Sequence, residues 1–386
     1  MQDAFAIVPG MRFVTFFVFS TMVAHPVSAQ WVIEQSPTAA NLRGIHSLSG
    51  GIAWASGTEG TVLRTADYGV TWQQCAVPAG AEELDFRGIQ AFNEKTAVVM
   101  SSGPGNQSRI YLTTDGCRTW ELVFTNPDAP QGFFDAIQFE PGNNLFGDVL
   151  GDPVAGKFAM FRTQDGGRTW SKFRDYERAS AKDGEVVFAA SNSSLLEVRG
   201  RTFFVTGGSR SRSRTIEEHQ KHDPFIFERF IGGNLPLARG ASAGAFSVAA
   251  HLGPGAWYSV NASNDVVRPV TPDDVFVAVG GDYQRPEESI GTGAVSTDGS
   301  LNWLASETPP HGYRSSVAYD AASKTWVTVG PNGTDISTDD GRHWRPLEPS
   351  AGEPVGADKN WNALSLPFVV GPNGRIGKLR AGALAP

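Results

Sequence analysis

Apolar residues fall along this chain in short runs broken by Gly, Asn, Asp and Ser. The stretch LRGIHSLSGGIAWASGTEGTVLRTADYGVTW carries three such runs and then a fourth, WQQCAV, led by a tryptophan. The same four-run unit recurs in FRGIQAFNEKTAVVMSSGPGNQSRIYLTTDGCRTW, in FFDAIQFEPGNNLFGDVLGDPVAGKFAMFRTQDGGRTW and in YRSSVAYDAASKTWVTVGPNGTDISTDDGRHW. Runs this short, rich in β-branched and aromatic residues and bounded by turn formers, predict strands rather than helices. Four runs per unit and a period of roughly 40–50 residues predict four-stranded antiparallel blades in a ring. Units starting at Leu42, Phe86, Phe133, Glu185, Ala243, Tyr313 and Trp361 make an all-β, seven-bladed β-propeller.

Three units depart from the pattern. EVVFAASNSSLLEVRGRTFFVTGGSRSRSRTIEE, with PFIFERF after it, is expected to form a blade that lacks the repeated turn. AGAFSVAA, VFVAVGGDYQRP, GAVSTDGS and NWLAS form another, with an insertion (Trp257 to Asp274) between its first two strands. WNALSLPFVVGPNGRIGKL supplies three strands and stops. Its fourth is expected from the other end of the chain, since QWVIEQSP (Gln30 to Pro37) resembles the Trp-led runs, and this closure removes exposed strand edges. The best helical stretch is the short TIEEHQKH (Thr215 to His222).

Five units share [ST]-x-D-x-G-x-x-W, with Asp67 and Trp72, Asp115 and Trp120, Asp165 and Trp170, Asp298 and Trp303, and Asp339 and Trp344. The carboxylate is suited to accept hydrogen bonds from the turn backbone, the Gly permits positive φ, and the Trp has a ring to bury. Cys117 and Ser300 replace that Gly, so those two turns are expected to be strained or to differ in geometry. Five carboxylates spread one per blade cannot converge on a single substrate, so the motif reads as structural.

The chain has 386 residues, 40% of them hydrophobic, enough for one large repeat domain spanning 30–386. A net charge of -8 argues against nucleic acid as the main partner. From Met11, MRFVTFFVFSTMVAHPVSAQ has the charged start, apolar run and small residues of an export signal cleaved before Gln30, placing a signal peptide at 1–29 and the mature chain in the periplasm or outside the cell. Beyond it no apolar run is long enough for a membrane helix. Cys75 and Cys117 invite a disulfide in an exported protein. Their places relative to the motif tryptophans, one after and one before, set them at different heights of neighbouring repeats and weigh against it. No dinucleotide, haem or metal signature, GxSxG or HExxH is present, and no cofactor is expected. His219 and His222 (HQKH) lack a third ligand nearby.

The repeated turn resembles the Asp-box (BNR) repeat of sialidases, sortilin-type receptors and some xyloglucan hydrolases. Together with the preceding GxxG turn, as in WASGTEGTVLRTADYGVTW, it is similar to the photosystem II stability/assembly-factor family of plants and cyanobacteria. The likeness covers most of the mature chain at repeat level and is specific in the box and that turn. It implies a seven-bladed, non-catalytic propeller, a monomer, that binds a protein partner such as a membrane-protein intermediate. The alternative it leaves open is a glycan-active hydrolase or a carbohydrate-binding propeller. The sialidase pattern of an FRIP-like segment, an arginine triad and a Tyr–Glu pair is missing.

Hairpin logic puts the boxed turns on one face and leaves the other for binding. That second face carries GTEG, LGDPVAG, GGSRSRSR, GGDYQRP and two GPNG turns, with strand-entry residues pointing toward the axis. The candidates there are Arg43, Arg87, Asp135, Asp152, Asn192, Arg210, Arg212, Asp282, Tyr283, Arg314, Asn332 and Asn362. Arg43, Arg87 and Arg314 are expected to open onto the channel mouth without core contacts. Arg210, Arg212 and Arg214 form the densest basic run, suited to an acidic surface or to solubility. Asp135, Asp152 and Asp282 are the carboxyls from which a hydrolase pair would be drawn.

Overall fold

The computed structural model describes residues 30–175, 178–198, 201–217, 232–253, 259–260, 266–267, 274–349 and 353–384. The export segment at 1–29 and the two histidines of HQKH lie outside these residues.

Seven antiparallel blades form a ring, each running from an inner strand out to an outer one. Blade 1 is Leu42–Ser47, Ala53–Gly57, Val62–Thr65 and Gln73–Gln74, hydrogen-bonded in that order. Blade 2 is Phe86–Ala91, Ala97–Ser101, Arg109–Thr113 and Glu121–Thr125, and blade 3 is Phe134–Phe139, Gly147–Val154, Lys157–Thr163 and Ser171–Lys172. Blade 5 comprises Gly240–His251, Val275–Asp282, Gly293–Ser296 and Leu304–Ala305; blade 6 comprises Ser316–Asp320, Thr325–Gly330, Gly333–Ser337 and Arg345–Pro346. The inner strands touch in cyclic order, and Ala363–Ser365 of blade 7 returns to Leu42–Ser47 of blade 1.

Closure is made by the N-terminus. Trp31–Glu34 pairs with Ile376–Leu379 as the outer strand of blade 7, and Trp31 is 1% exposed against Trp361. Burying an indole of this size while pairing an otherwise open edge is what fixes the two ends of the chain together.

Blade 4 differs from the reading of the sequence. Its inner strand is Leu195–Val198, ten residues beyond Glu185, followed by Arg201–Val205 and Ser213–Glu217. PFIFERF, expected as its outer strand, lies outside the described residues; beyond it an isolated bridge joins Arg212 and Asn234. Thr215 to Glu217, the start of the helical candidate, is strand. Glu185–Val186 instead pairs with Gly207–Gly208, which in turn pairs with the inner strand of blade 5.

The core lies between blades. Trp72 packs edge-on against Phe368 of blade 7, Trp303 lies near Phe203 of blade 4, and Trp344 packs with Val277 of blade 5. Each motif tryptophan therefore clamps its own blade to the preceding one. The expectation against a disulfide fails for the same reason: Cys75 and Cys117 are bonded, with Cα atoms 5.3 Å apart. The turn of blade 2 is drawn onto the outer strand of blade 1, where Cys117 O accepts from Ala76 N at 3.2 Å and Trp120 Nε1 donates to Ala76 O at 2.9 Å.

All five repeated turns share one hydrogen-bond pattern. In the first, Asp67 accepts from Thr65 Oγ1 (2.8 Å), Thr71 N (2.9 Å) and Thr71 Oγ1 (2.6 Å), while Gly69 N donates to Thr65 Oγ1. In blades 5 and 6, Asn302 and His343 take the place of the threonine that caps the second carboxylate oxygen. Cys117 and Ser300 hold the same left-handed backbone as the glycines, at φ 61° and 74°, so the geometry is kept and the strain accepted.

Candidate functional site: the channel mouth

The face opposite the repeated turns is built from β-bulges. Ladder register slips by one residue at Leu42/Gly44, Phe86/Gly88, Phe134/Ala136, Gly151/Pro153 and Ala245/Ser247. The unpaired residue at each slip is Arg43, Arg87, Asp135, Asp152 and Phe246 respectively. A bulge frees one residue from the ladder and re-aims its side chain. Five of them at this end of the ring turn two cations, two carboxyls and one aromatic ring toward the mouth.

The connector between blades 3 and 4 crosses this mouth. Ala189 O accepts from Arg87 Nη1 of blade 2 (3.0 Å). Asn192 Oδ1 accepts from Ile137 N of blade 3 (2.8 Å), and Ser191 Oγ donates to Ser315 O at the entry of blade 6 (2.6 Å). Ser193 Oγ donates to Ser247 Oγ of blade 5 at 2.7 Å. The connector thus stitches four other blades across the axis, and Asn192, at φ 63°, makes the left-handed turn that allows it. Gly88 is required beneath it, because a Cβ there would stand 2.8 Å from Asn192 Oδ1. An entirely polar run, SNSS, is used here as a plug rather than as a strand.

Several candidates are consumed by structure. Arg314, expected to be open, is 0% exposed; its Nε donates to Asp335 Oδ2 at 2.7 Å, and its other nitrogens reach Asp335, Asn332 and His311. Because Tyr313–Ser315 precedes the strand rather than sitting in a bulge, the Arg314 side chain turns back into the blade. Asn332 completes that cluster, donating to Pro286 O at 3.0 Å. Asn362 ties blade 7 to blade 1 through Leu42 O (2.7 Å). Asp282 is satisfied within its own turn by Gln284 N and Arg285 Nε, and these bonds together with one from Ser242 outweigh burial and hold its carboxyl below the usual range. The basic run does not form a patch: Arg212 is a half-buried partner of the buried Glu185, Arg214 donates to Ser180 O at 3.1 Å, and Arg210 is exposed.

What remains at the mouth is Arg43, Arg87, Asp135, Asp152 and Tyr283, joined by aromatic residues that the sequence reading passed over. Phe188 of the connector stacks on Phe246 at 4.0 Å, Tyr313 meets Phe246 edge-on at 4.8 Å, and Tyr283 stands edge-on to both phenylalanines. Tyr283 is 48% exposed. These rings come from a connector (Phe188), a bulge in an inner strand (Phe246), the end of a second strand (Tyr283) and a strand entry (Tyr313), an irregular spacing that the repeat does not mark.

Electrostatically the site is unfinished. Arg87 is paired with Asp85 at 2.7 Å. Arg43 has no hydrogen bond or ion pair among the described residues, and its Nε is buried without a partner. Burial, and then the charge of Arg87, push its guanidinium below the usual value. Asp135 is 1% exposed with Oδ2 unpartnered; burial drives it well above the carboxylate range, with Asp152 adding to the shift. Burial also raises Asp152, which accepts from Val187 N at 3.0 Å. Among the described residues no group of His, Cys, Asp and Glu could hold a metal ion, and no helix is long and apolar enough to cross a membrane.

The fold therefore defines the class, a seven-bladed β-propeller with one face committed to turn structure and the other carrying unspent polar groups. Among solved structures it is similar to "YCF48 bound to D1 peptide", at 16% identity and a TM-score of 0.59, over 91% of this chain and 97% of that one. YCF48 from Cyanidioschyzon merolae aligns over 91% of this chain and 99% of its own, at 17% identity and a TM-score of 0.51. A GH74 xyloglucanase from Xanthomonas campestris aligns over 79% and 48%, at 12% identity and a TM-score of 0.32, too loose a match to carry an argument. No protein-family model matches the sequence, and no curated protein matches it.

Proposed function

We propose that the chain is an exported, non-catalytic binding scaffold, of the Asp-box type and similar in role to photosystem II assembly factors, that recognises a protein partner through the channel-mouth face. One observation carries this reading. The aspartates of the repeated turns satisfy their carboxylates within the turn on one face, whereas the opposite face holds an unpaired arginine and an orphaned carboxyl oxygen at bulges, and an exposed tyrosine. Polar groups left without partners on one face of a rigid fold are donors and acceptors that a partner can complete. A YCF48 structure of the same fold is described as bound to a D1 peptide, which supports a peptide as the ligand class. The Cys75–Cys117 bond supports an oxidising compartment.

The glycan-hydrolase alternative draws on Asp135 and Asp152, two neighbouring carboxyls with raised pKa values. Hydrolysis needs both to reach the sugar. Asp135 is 1% exposed and Asp152 is spent on Val187 N, which favours binding over catalysis. The test is selection of displayed peptides on the immobilised protein, followed by competition with Tyr283→Ala and with Arg118→Ala on the opposite face. Loss of binding in the first alone supports the reading. Peptides that depend on Arg118, no enriched peptide, or release of sugar from xyloglucan or sialosides overturns it.

A further inference from the structure

We infer that Glu197, Asp148, Arg162 and Thr202 form a proton-dependent latch between blades 3 and 4, closed while Glu197 keeps its proton, that holds the mouth connector in place. The latch goes beyond the proposed binding role and rests on it only for what the latch would govern.

The joint between these blades lacks the clamp used elsewhere. Blade 4 has no boxed turn, and the chain has no tryptophan between Trp170 and Trp257. An apolar layer remains, in which Phe158 meets Phe204 edge-on at 5.2 Å with Leu150, Met160 and Leu195 around them. Each of four strands then places one polar residue beside that layer. Asp148 stands two before Leu150, Arg162 two after Met160, Glu197 two after Leu195 and Thr202 two before Phe204. The two-residue period of a strand turns all four side chains into the joint.

Arg162 grips Asp148 with its fork, Nε to Oδ1 and Nη2 to Oδ2, each at 2.6 Å, and Thr202 Oγ1 donates to Asp148 Oδ2 at 2.5 Å. Glu197 stands directly across the ladder from Thr202, is 8% exposed, and has an Oε1 without a partner. One arginine cannot neutralise two carboxylates, and this one is spent on Asp148. An ionised Glu197 is an uncompensated buried charge, whereas a protonated one donates to Asp148. Burial first, and then the charge of Asp148, raise the Glu197 carboxyl well above the usual range against the pull of Arg162. Asp148 and Arg162 are the charged groups facing it across the joint; Thr202 and Ile216 on its own blade are neutral. The latch meets the connector twice. Glu197 lies on Leu195–Val198, the strand into which the connector runs, and Gln138, opposite Asp148 in blade 3, donates to Asn192 O at 2.8 Å. Repulsion between Glu197 and Asp148 therefore pulls on both ends of the segment that spans the mouth.

The folded chain holds a proton that the unfolded one gives up above about pH 4.5, so the stability from this group is full below that pH and is lost as pH rises toward the folded value. The unfolding constant of the wild type relative to Glu197→Gln, whose amide stands in for the protonated acid, should rise about tenfold per pH unit above pH 5. Hydrogen exchange read by mass spectrometry and corrected for intrinsic rates locates the effect. Between pH 6 and pH 9 the connector, residues 187–194, should lose at least about tenfold in protection in the wild type and keep it in Glu197→Gln. Thr325–Gly330 of blade 6 is the internal reference and should hold its protection. Should the glutamine variant not fold, the wild-type contrast between connector and blade 6 decides alone. Equal connector protection at the two pH values, a loss as large in Glu197→Gln, or a loss shared by blade 6 would each overturn the latch. No peptide enters the test, so a failed partner leaves this result standing and a failed latch leaves the partner untouched.

Discussion

Cutting the Cys75–Cys117 link should cost the ring several degrees of stability, and the amount depends on what replaces Cys117. The bond closes a segment of 42 residues. The chain-entropy model for a loop of that size gives about 4 kcal/mol at 25 °C. Cys117 also stands at φ 61° where three of the other turns place glycine, a backbone that costs an L-residue about 1 kcal/mol or more. Cys117→Ala loses the link and keeps the strain; Cys117→Gly loses the link and relieves it. The first should therefore cost about 4 kcal/mol and the second about 3 kcal/mol. With an unfolding entropy on the order of 0.7 kcal/mol per kelvin for a ring of this length, the melting temperatures should fall by about 5–6 °C and about 4 °C. Thermal melts followed by circular dichroism, with both variants and reduced wild type run at one scan rate, measure this. If reduction leaves the wild-type melt unmoved, the link does not restrain blades 1 and 2. If the glycine variant melts at or below the alanine variant, the left-handed strain assigned to Cys117 is wrong.

Deleting residues 30–36 removes the strand that pairs with Ile376–Leu379 and the buried Trp31, and should lower stability by several kcal/mol and promote self-association through the bared edge; an unchanged melt and elution volume would refute the closure. Arg314→Ala strands Asp335 inside blade 6 and should cost about 3–5 kcal/mol, whereas Arg43→Gln should be close to neutral, a contrast read directly from urea midpoints. Burial pushes His46 down to about 4 from 6.5 while its Nδ1 accepts from Ala91 N at 3.0 Å. The unfolded imidazole takes up a proton that the folded one refuses, so this contribution is intact above about pH 6.5 and lost as pH falls toward 4, by about 2 kcal/mol at pH 5. The wild-type minus His46→Gln difference in unfolding free energy should shrink accordingly between pH 7 and pH 5, and a constant difference would exclude His46 as the cause.

The blade count and the N-terminal closure are legible because each blade must repeat the same burial problem. Alternating apolar runs, a turn that needs Asp and positive φ, and a tryptophan for the gap between blades recur wherever the ring repeats itself. What is illegible depends on contacts between units. SNSS looks like a poor strand, and nothing local to it says that Ile89, Ile137 and Ser315 wait across the axis to hold it. Cys75 and Cys117 are placed at different heights only if each repeat is taken alone; the tryptophan clamp shifts one blade onto the next and brings them together. Arg43 and Arg314 both stand near a strand entry, yet a one-residue register slip frees the first, and the second, with no slip, finds Asp335. Register is invisible in composition, and it decides which arginine is structural.

The bulges also say why the proposed binding groups sit where they do. A propeller blade pairs each inner strand with one partner, so a side chain leaves the ladder only where register slips. Slips at Leu42/Gly44 and Phe86/Gly88 each require a glycine just after the arginine: a Cβ at Gly44 would meet Ser56 Oγ at 2.6 Å, and one at Gly88 would meet Asn192 Oδ1. The Arg-Gly pairs of blades 1 and 2 are therefore one device used twice, with the glycine permitting close approach and the arginine projecting as a result. Blade 3 uses the same slip to project an acid, Asp135, and blade 5 to project Phe246. The connector then crosses between these projections and ties blades 2, 3, 5 and 6 together behind them. Under the proposed role, recognition would depend on groups that do not move, which suits a ligand whose own polar and apolar groups are held at a fixed spacing, as they are on an extended peptide backbone.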